Sequence, residues 1–266
     1  MNDQCPPIIT LTTDFGHKGP FVGIMKGVIL SRLPQARIVD LTHEVHAHWP
    51  AEAGFWLAHS YKNFPIESIH LAVVDPGVGT ERDILGCKHD GHVFLAPDNG
   101  ILSDVLGSSP PDQVYRLSKQ LINQINPDNI SSTFHGRDVL APLAAEIALG
   151  NIKIETIGEK TCDIVPSLVE QAEHIGSRLQ GTIVAIDSFG NLISNVSHME
   201  LKKINNPKIS CGGRHLHLQD TYGRSQPGEF LALINSFDML EIARAEGNAS
   251  EHLGLGLGAP ISISTG

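Results

Sequence analysis
The sequence predicts an α/β protein in two parts: an N-terminal layered α/β domain with a mostly parallel sheet, and a smaller C-terminal antiparallel β domain of a spacing that suits a barrel. Three observations predict it. Strand-like and helix-like segments alternate through the first half, the mark of helices packed on a parallel sheet. One strand, Ser68 to Val74, is apolar on both faces, as buried parallel strands are. The second half carries short strands punctuated by glycine.

Ile8 to Thr12 is a β-branched run ending at the turn Thr12-Thr13-Asp14-Phe15-Gly16. Pro20 suits a first helical turn, and Phe21, Ile24, Met25, Val28 and Ile29 repeat on one helical face. Ala36 to Leu41 reads as a strand and Ala51 to Ser60 as a helix. After Ser68 to Val74 comes a hairpin-like pair, Ile84 to Lys88 and His92 to Ala96. Asn99 to Leu106 and Val139 to Leu149 read as helices. Residues 152–178 are polar and carry Pro166, which sets a linker at 166–178 between domains at 1–165 and 179–266. Beyond it the strands are Gly181 to Ile186, Leu192 to Val196, Phe230 to Ile234 and Ile261 to Ser264. There is no internal repeat.

Composition excludes several classes of function. In 266 residues, 41% are hydrophobic and 18% charged, which is too apolar and too weakly charged for a disordered chain. No apolar run approaches the ~20 residues of a spanning helix. The net charge is −10 and no basic run exists, so a nucleic-acid partner is not expected. Cysteines at 5, 87, 162 and 211 form no CxxC pair. Scattered cysteines, with an N-terminus lacking a basic start and a long apolar stretch, predict a cytoplasmic protein. The 14 histidines cluster at His43, His46 and His48, at His89 and His92, and at His215 and His217. None of these has the HExxH pattern, and surface or turn histidines are the favoured reading, with no metal expected.

Four stretches at strand ends carry candidate chemistry, since ligands bind there in open α/β sheets. Asp14 can accept hydrogen bonds from two vicinal hydroxyls, or can be an ordinary turn aspartate. Asp75-Pro76-Gly77-Val78-Gly79-Thr80 follows the buried strand and lacks the Gly-Lys-Ser/Thr of a phosphate loop. Asp75 and Arg82 can meet across it, as a functional pair or a structural one. Thr133-Phe134-His135-Gly136-Arg137-Asp138 puts a histidine at a loop–helix junction, fit for a general base, a positioning donor or a capping turn. In Asp187-Ser188-Phe189-Gly190-Asn191, Phe189 can stack on a flat base and Asn191 can read its edge, unless the stretch is a plain hairpin turn.

In this order and spacing, these stretches resemble the S-adenosylmethionine (SAM) hydroxide adenosyltransferases, or SAM hydrolases, relatives of the bacterial fluorinase and chlorinase. Met25-Lys26-Gly27-Val28-Ile29, Asp98-Asn99-Gly100 and Asn235-Ser236 add to the resemblance, which runs the length of the chain. It implies a homotrimer, with each active site between one subunit's N-terminal domain and a neighbour's C-terminal domain. Asp75, Arg82 and His135 fall on the triad that holds the attacking water or hydroxide. Asp14 falls on the ribose-diol carboxylate and Phe134 on an aromatic of the nucleoside pocket. Phe189 and Asn191 fall in the adenine-side motif, and Arg244 matches an arginine near the adenine. Asp187 and Ser236 fall on groups that hold the methionine end. Two departures stand out. Halogenases carry other residues where Asp75 and His135 stand. Ser236-Phe237-Asp238 lacks the glycine expected after the aromatic.

The implied reaction is in-line attack of hydroxide on ribose C5′, giving adenosine and L-methionine. SAM is the substrate and no cofactor is needed. Two rivals are a chlorinase-like halogenase, disfavoured because the Asp75 carboxylate repels an anionic nucleophile, and a non-catalytic adenosine or SAM sensor, disfavoured because the full triad is present. A metal-dependent hydrolase using the histidines lacks the spacing.

Overall fold
A computed structural model describes residues 6–107, 113–127 and 130–266. The chain forms two compact units, Met1–Leu168 and Val169–Gly266. In chain order the first unit contains β1 (Ile8–Thr13), α1 (Phe21–Arg32), β2 (Arg37–Thr42), α2 (Pro50–Ser60), β3 (Ile69–Val73), β4 (Ile84–His89), β5 (His92–Pro97), α3 (Ile101–Leu106), β6 (Gln113–Leu117), α4 (Lys119–Ile125), α5 (Ala141–Ala148) and β7 (Gly158–Lys160).

The seven strands form one sheet in the order β2-β1-β3-β5-β4-β6-β7. Pairs β2–β1, β1–β3 and β3–β5 are parallel, whereas β4 is antiparallel to both β5 and β6. Strands β1, β2, β3, β5 and β6 therefore share one direction, as the alternation of elements predicts, and β4 with β5 is the expected hairpin. Side-chain alternation sorts two cores. Ile9, Leu11, Leu71 and Val73 pack with Met25, Ile29, Leu143 and Ala144 of α1 and α5. Ala72, Val74 and Phe94 pack with Leu57, Leu102 and Val105 of α2 and α3.

The helical stripe expected on α1 is narrower than its apolar residues suggest. Val22, Met25 and Ile29 are buried, but Phe21 is 47% and Ile24 38% exposed. The helix expected from Val139 to Leu149 is two pieces: a π-helical turn, Gly136–Leu140, leads into α5. Pro142 at the first turn of α5 needs no hydrogen-bond partner there.

The second unit contains β8 (Glu173–Ile175), β9 (Arg178–Ile186), β10 (Leu192–Ser197), α6 (His198–Leu201), β11 (Pro207–Cys211), β12 (Arg214–Leu216), β13 (Phe230–Ile234), β14 (Met239–Arg244), α7 (Ala249–Leu253) and β15 (Pro260–Thr265). Part of the expected linker thus forms a short strand, β8, paired with β9. The remaining order is β12-β11-β15-β9-β10-β14-β13, antiparallel throughout. The chain leaving β12 reaches β13, where the Ala232 N–H donates to the His217 carbonyl at 3.1 Å and the Gln219 N–H to the Ala232 carbonyl at 2.8 Å. The two ends of the sheet therefore meet, and the result is a nearly closed barrel. Leu192, Val196, Ile209, Leu240, Ile242, Ile261 and Ile263 fill it.

Candidate active site
Asp14 and Asp75 leave two adjacent parallel strands, Asp14 one residue past the last paired position and Asp75 two. Thr13 of β1 is in register with Val73 of β3, so both carboxylates emerge just past the carboxyl edge of the sheet. Asn99 fixes one of these exits by donating from Nδ2 to the Val74 carbonyl at 2.8 Å. That gives the Asp98-Asn99-Gly100 motif a physical purpose.

The loop after Asp75 turns back at once, with Gly79 at φ +78°. A Cβ there would lie 2.1 Å from the Ser132 carbonyl oxygen, so only glycine lets this loop lie against the segment before His135. Arg82 then returns onto Asp75. Its Nε lies 2.9 Å from each Asp75 oxygen, and its Nη2 also donates to Oδ2. The same Nη2 lies 2.9 Å from His135 Nδ1. A guanidinium can only donate, so Nδ1 must accept, and a neutral His135 carries its proton on Nε2. Burial lowers the His135 pKa below its ordinary value, and the Arg82 charge lowers it further. His135 is therefore neutral at neutral pH. The loop that carries it is tied down by Asp138, which accepts the Ser131 N–H at 2.9 Å and pairs with Arg137 at 2.6 Å.

A cleft of about 330 Å³ opens over these groups, lined by Asp14, Asp75, Phe134 and His135 together with Phe15, Phe21 and His48. Phe15, Phe21 and Phe134 meet edge-on or tilted, with ring centroids 5.5 to 5.8 Å apart, and build an aromatic wall. Arg82 does not line the cleft; it lies behind Asp75. Asp14 Oδ2 accepts the His48 N–H at 2.9 Å.

The structure thus brings Asp14, Asp75, Arg82, Phe134 and His135 together. Sequence reading missed Phe15, Phe21 and His48. Phe15 adjoins Asp14 in its motif, and that adjacency is the signal that could have found it. Phe21 was masked by its helical spacing. His48 has backbone φ +64°, a conformation invisible in the sequence.

The remaining candidates lie in the second unit. Asp187 Oδ1 accepts the N–H groups of Phe189 and Asn191, and Oδ2 accepts Asn191 Nδ2, all at 2.9 Å. Phe189 is 74% exposed, while Asn191 is buried with one amide hydrogen committed to Asp187. Ser236 is exposed in the turn between β13 and β14. Asp238 in that turn has φ +59°, so the departure from glycine keeps a glycine-like backbone. Arg244 ends β14, with Nε on the Gly228 carbonyl at 3.1 Å and Nη1 2.9 Å from His252 Nε2.

The histidine clusters have separate uses. His43 Nδ1 bonds Thr13 Oγ1 at 2.9 Å, His46 Nδ1 bonds Glu52 at 2.9 Å, and His215 Nδ1 bonds Ser210 at 2.9 Å.

Comparison with known proteins decides the family. Residues 9–158 match the SAM hydroxide adenosyltransferase N-terminal domain, and residues 181–262 match the corresponding C-terminal domain. The chain belongs to the SAM hydroxide adenosyltransferase family. Its similarity to other members is full-length. It is 31% identical to a protein named (R)-S-adenosyl-L-methionine hydrolase from Thermus thermophilus, over 94% of this chain and 97% of that one. A protein of the same name from Methanocaldococcus jannaschii is 32% identical over 95% and 94%. A fluorinase from Nocardia brasiliensis is 24% identical over 98% and 97%. Among solved structures, an uncharacterized conserved protein from Thermotoga maritima superposes with a TM-score of 0.86 at 30% identity, covering 96% of this chain and 99% of that one. The family resemblance expected from the motifs is borne out.

Proposed function
We propose that this member of the family hydrolyses S-adenosyl-L-methionine to adenosine and L-methionine, and that Asp75, Arg82 and His135 carry the step. The observation that carries this reading is the Arg82 grip on Asp75 and on His135 Nδ1, beside the cleft that Asp14 also lines.

The oxygen of a water or hydroxide attacks C5′ in line. The C5′–S bond breaks, its electron pair stays on sulfur, and methionine leaves as a neutral thioether. With Nδ1 held by Arg82, His135 offers Nε2–H as a donor to the attacking oxygen. Asp75 keeps carboxylate lone pairs and is the acceptor for the proton that water loses. Arg82 acts by holding both groups, through Nε and Nη2 on Asp75 and Nη2 on His135 Nδ1. Opposite charges on hydroxide and sulfonium cancel in the transition state, which favours a cleft walled by Phe15, Phe21 and Phe134. Fixing both reactants in line supplies a large share of the acceleration. No metal or cofactor enters this step.

Asp14 receives the ribose diol. Asp187 and Ser236 hold the methionine end, Phe189 and Asn191 the adenine, with Arg244 beside it. The homotrimer belongs to the same proposal, a neighbouring subunit supplying the second set. A cytoplasmic setting is also proposed. It is supported by scattered cysteines, of which Cys87, Cys162 and Cys211 are free thiols, as suits a reducing compartment.

Chromatography of the purified protein incubated with SAM, with and without excess chloride, tests the reading. Adenosine and methionine, unaffected by chloride or by a chelator, are expected. A 5′-halogenated nucleoside would assign the chain to halogenation. Recovery of bound nucleoside without turnover would make it a sensor.

A further inference from the structure
The Met25-Lys26-Gly27 motif and the buried histidine of the first cluster have no part in the chemistry above, yet they converge beneath Asp14. His43 is 1% exposed and Thr13 is fully buried. Thr13 Oγ1 lies 2.9 Å from His43 Nδ1 and also accepts the Phe15 N–H at 3.2 Å. The Gly16 N–H donates to the His43 backbone carbonyl at 2.8 Å. His43 therefore holds the 13–16 turn at both ends, with Asp14 between them.

The far side of His43 is equally committed. Nε2 lies 3.1 Å from Asp40 Oδ1, near enough for pairing though off the line of a straight hydrogen bond. Asp40 Oδ2 accepts from Lys26 Nζ at 2.6 Å. In the tautomer that carries the proton on Nε2, beside the Asp40 carboxylate, Nδ1 is the acceptor and the Thr13 O–H donates to it. The Thr13 oxygen then has its lone pairs for the Phe15 N–H. The contacts thus run unbroken from Lys26 through Asp40, His43 and Thr13 to the Phe15 N–H. The Asp14 Oδ1 oxygen is left without a protein hydrogen bond among the described residues, while Oδ2 takes the His48 N–H.

We infer that Lys26, Asp40 and His43 are positioning residues for ribose recognition: they lock the 13–16 turn so that Asp14 presents a free carboxylate oxygen to the vicinal hydroxyls of the nucleoside. This rests on the proposed function. Thr13 and His43 are buried below the turn and touch no substrate, so their effect must pass through Asp14. That makes a specific signature. Damage to the relay weakens ligands that carry the diol and spares ligands that lack it, whereas general unfolding weakens both.

The test is calorimetric titration of the full-length protein with adenosine and with 2′,3′-dideoxyadenosine. The wild type is expected to prefer adenosine. His43→Asn is expected to weaken adenosine binding about 10-fold, the scale of a lost hydrogen bond to a charged group, and to leave dideoxyadenosine unchanged. Lys26→Met, at the half-exposed end of the relay, should show the same selective loss at about 3-fold and keeps the test open if His43→Asn does not fold. Equal loss for both nucleosides, or no loss for either, overturns the inference. A wild type that hydrolyses SAM but shows no preference for the diol overturns the role of Asp14 and the relay with it. A wild type that neither hydrolyses SAM nor binds adenosine brings down the functional reading itself.

Discussion

Asp75 and Asp187 are both held by hydrogen bonds to each oxygen, but by opposite means. Asp75 depends on a cation seven residues on, which in turn reaches a histidine 53 residues further. Asp187 depends only on its own turn, through the N–H groups two and four residues ahead and one side-chain amide. The first carboxylate is therefore a product of tertiary folding and the second of local chain geometry. The role proposed for Asp75, proton acceptor beside a reacting carbon, needs a fixed position, which a clamp shared with the His135 loop provides. The role proposed for Asp187, gripping one end of a substrate, needs only a preformed turn.

That contrast can be broken most sharply at Asp75. Asp75→Ala is expected to lower kcat about 10³-fold, the usual share of a positioned acid or base, while adenosine binding by titration stays measurable. Unchanged turnover would remove Asp75 from the chemistry.

Arg82→Met comes next. It leaves the Asp75 carboxyl, only 5% exposed, without its cation, and is expected to cost about 3 kcal/mol in denaturant unfolding and about 10²-fold in kcat. It should also change the pH profile. Burial and the Arg82 charge hold the His135 pKa below 6.5, so His135 stays neutral until the pH falls below that value, and the acid limb of kcat is expected there. The native state resists protonation more than the unfolded chain does. His135 therefore subtracts stability as pH falls from 6.5 towards its folded pKa and subtracts nothing above. Without Arg82 the limb should move up towards 6.5. A limb that stays in place would show that the charge does not act on His135.

Gly79→Ala tests whether the two loops must lie together. Its Cβ would meet the Ser132 carbonyl at 2.1 Å, in a backbone conformation alanine dislikes. About 2 kcal/mol of destabilisation is expected, with kcat reduced more than KM is raised. The smallest effect belongs to the local turn. Asp187→Ala should raise KM for SAM about 10-fold, cost about 1 kcal/mol of stability and leave kcat nearly unchanged. A fall in kcat as large as that of Asp75→Ala would erase the contrast.

The same division explains what was legible in the sequence. The strand–helix alternation, the doubly apolar Ile69–Val73 and the Asp187–Asn191 turn are local patterns, and all are found where their residues stand. The strands β6, β7, β8, β11, β12 and β14 and the helices α4, α6 and α7 were not anticipated. Most are short or polar, and pairing partners rather than propensity form them; β12, for example, has only Arg214, His215 and Leu216. At the site, Asp14, Asp75 and His135 were readable because they sit in distinctive motifs at strand and helix ends. Phe21 was not, because helical spacing gives the same signal whether a side chain enters the core or walls a cleft. His43 was not, because its meaning lies in Thr13, thirty residues away.

One feature of the sheet reaches beyond any single side chain. Since Thr13 and Val73 are paired neighbours on adjacent strands, the gap between Asp14, proposed to hold the ribose, and Asp75, proposed to hold the nucleophile, is gauged by the main-chain ladder, with its spacing of ~4.8 Å per strand. Side-chain substitution can change what is held at either mark on that ruler, but not the graduation between the marks. Under the proposed roles, variation in the attacking species is open to exchange of residues, while the spacing between the two carboxylates is inherited with the fold.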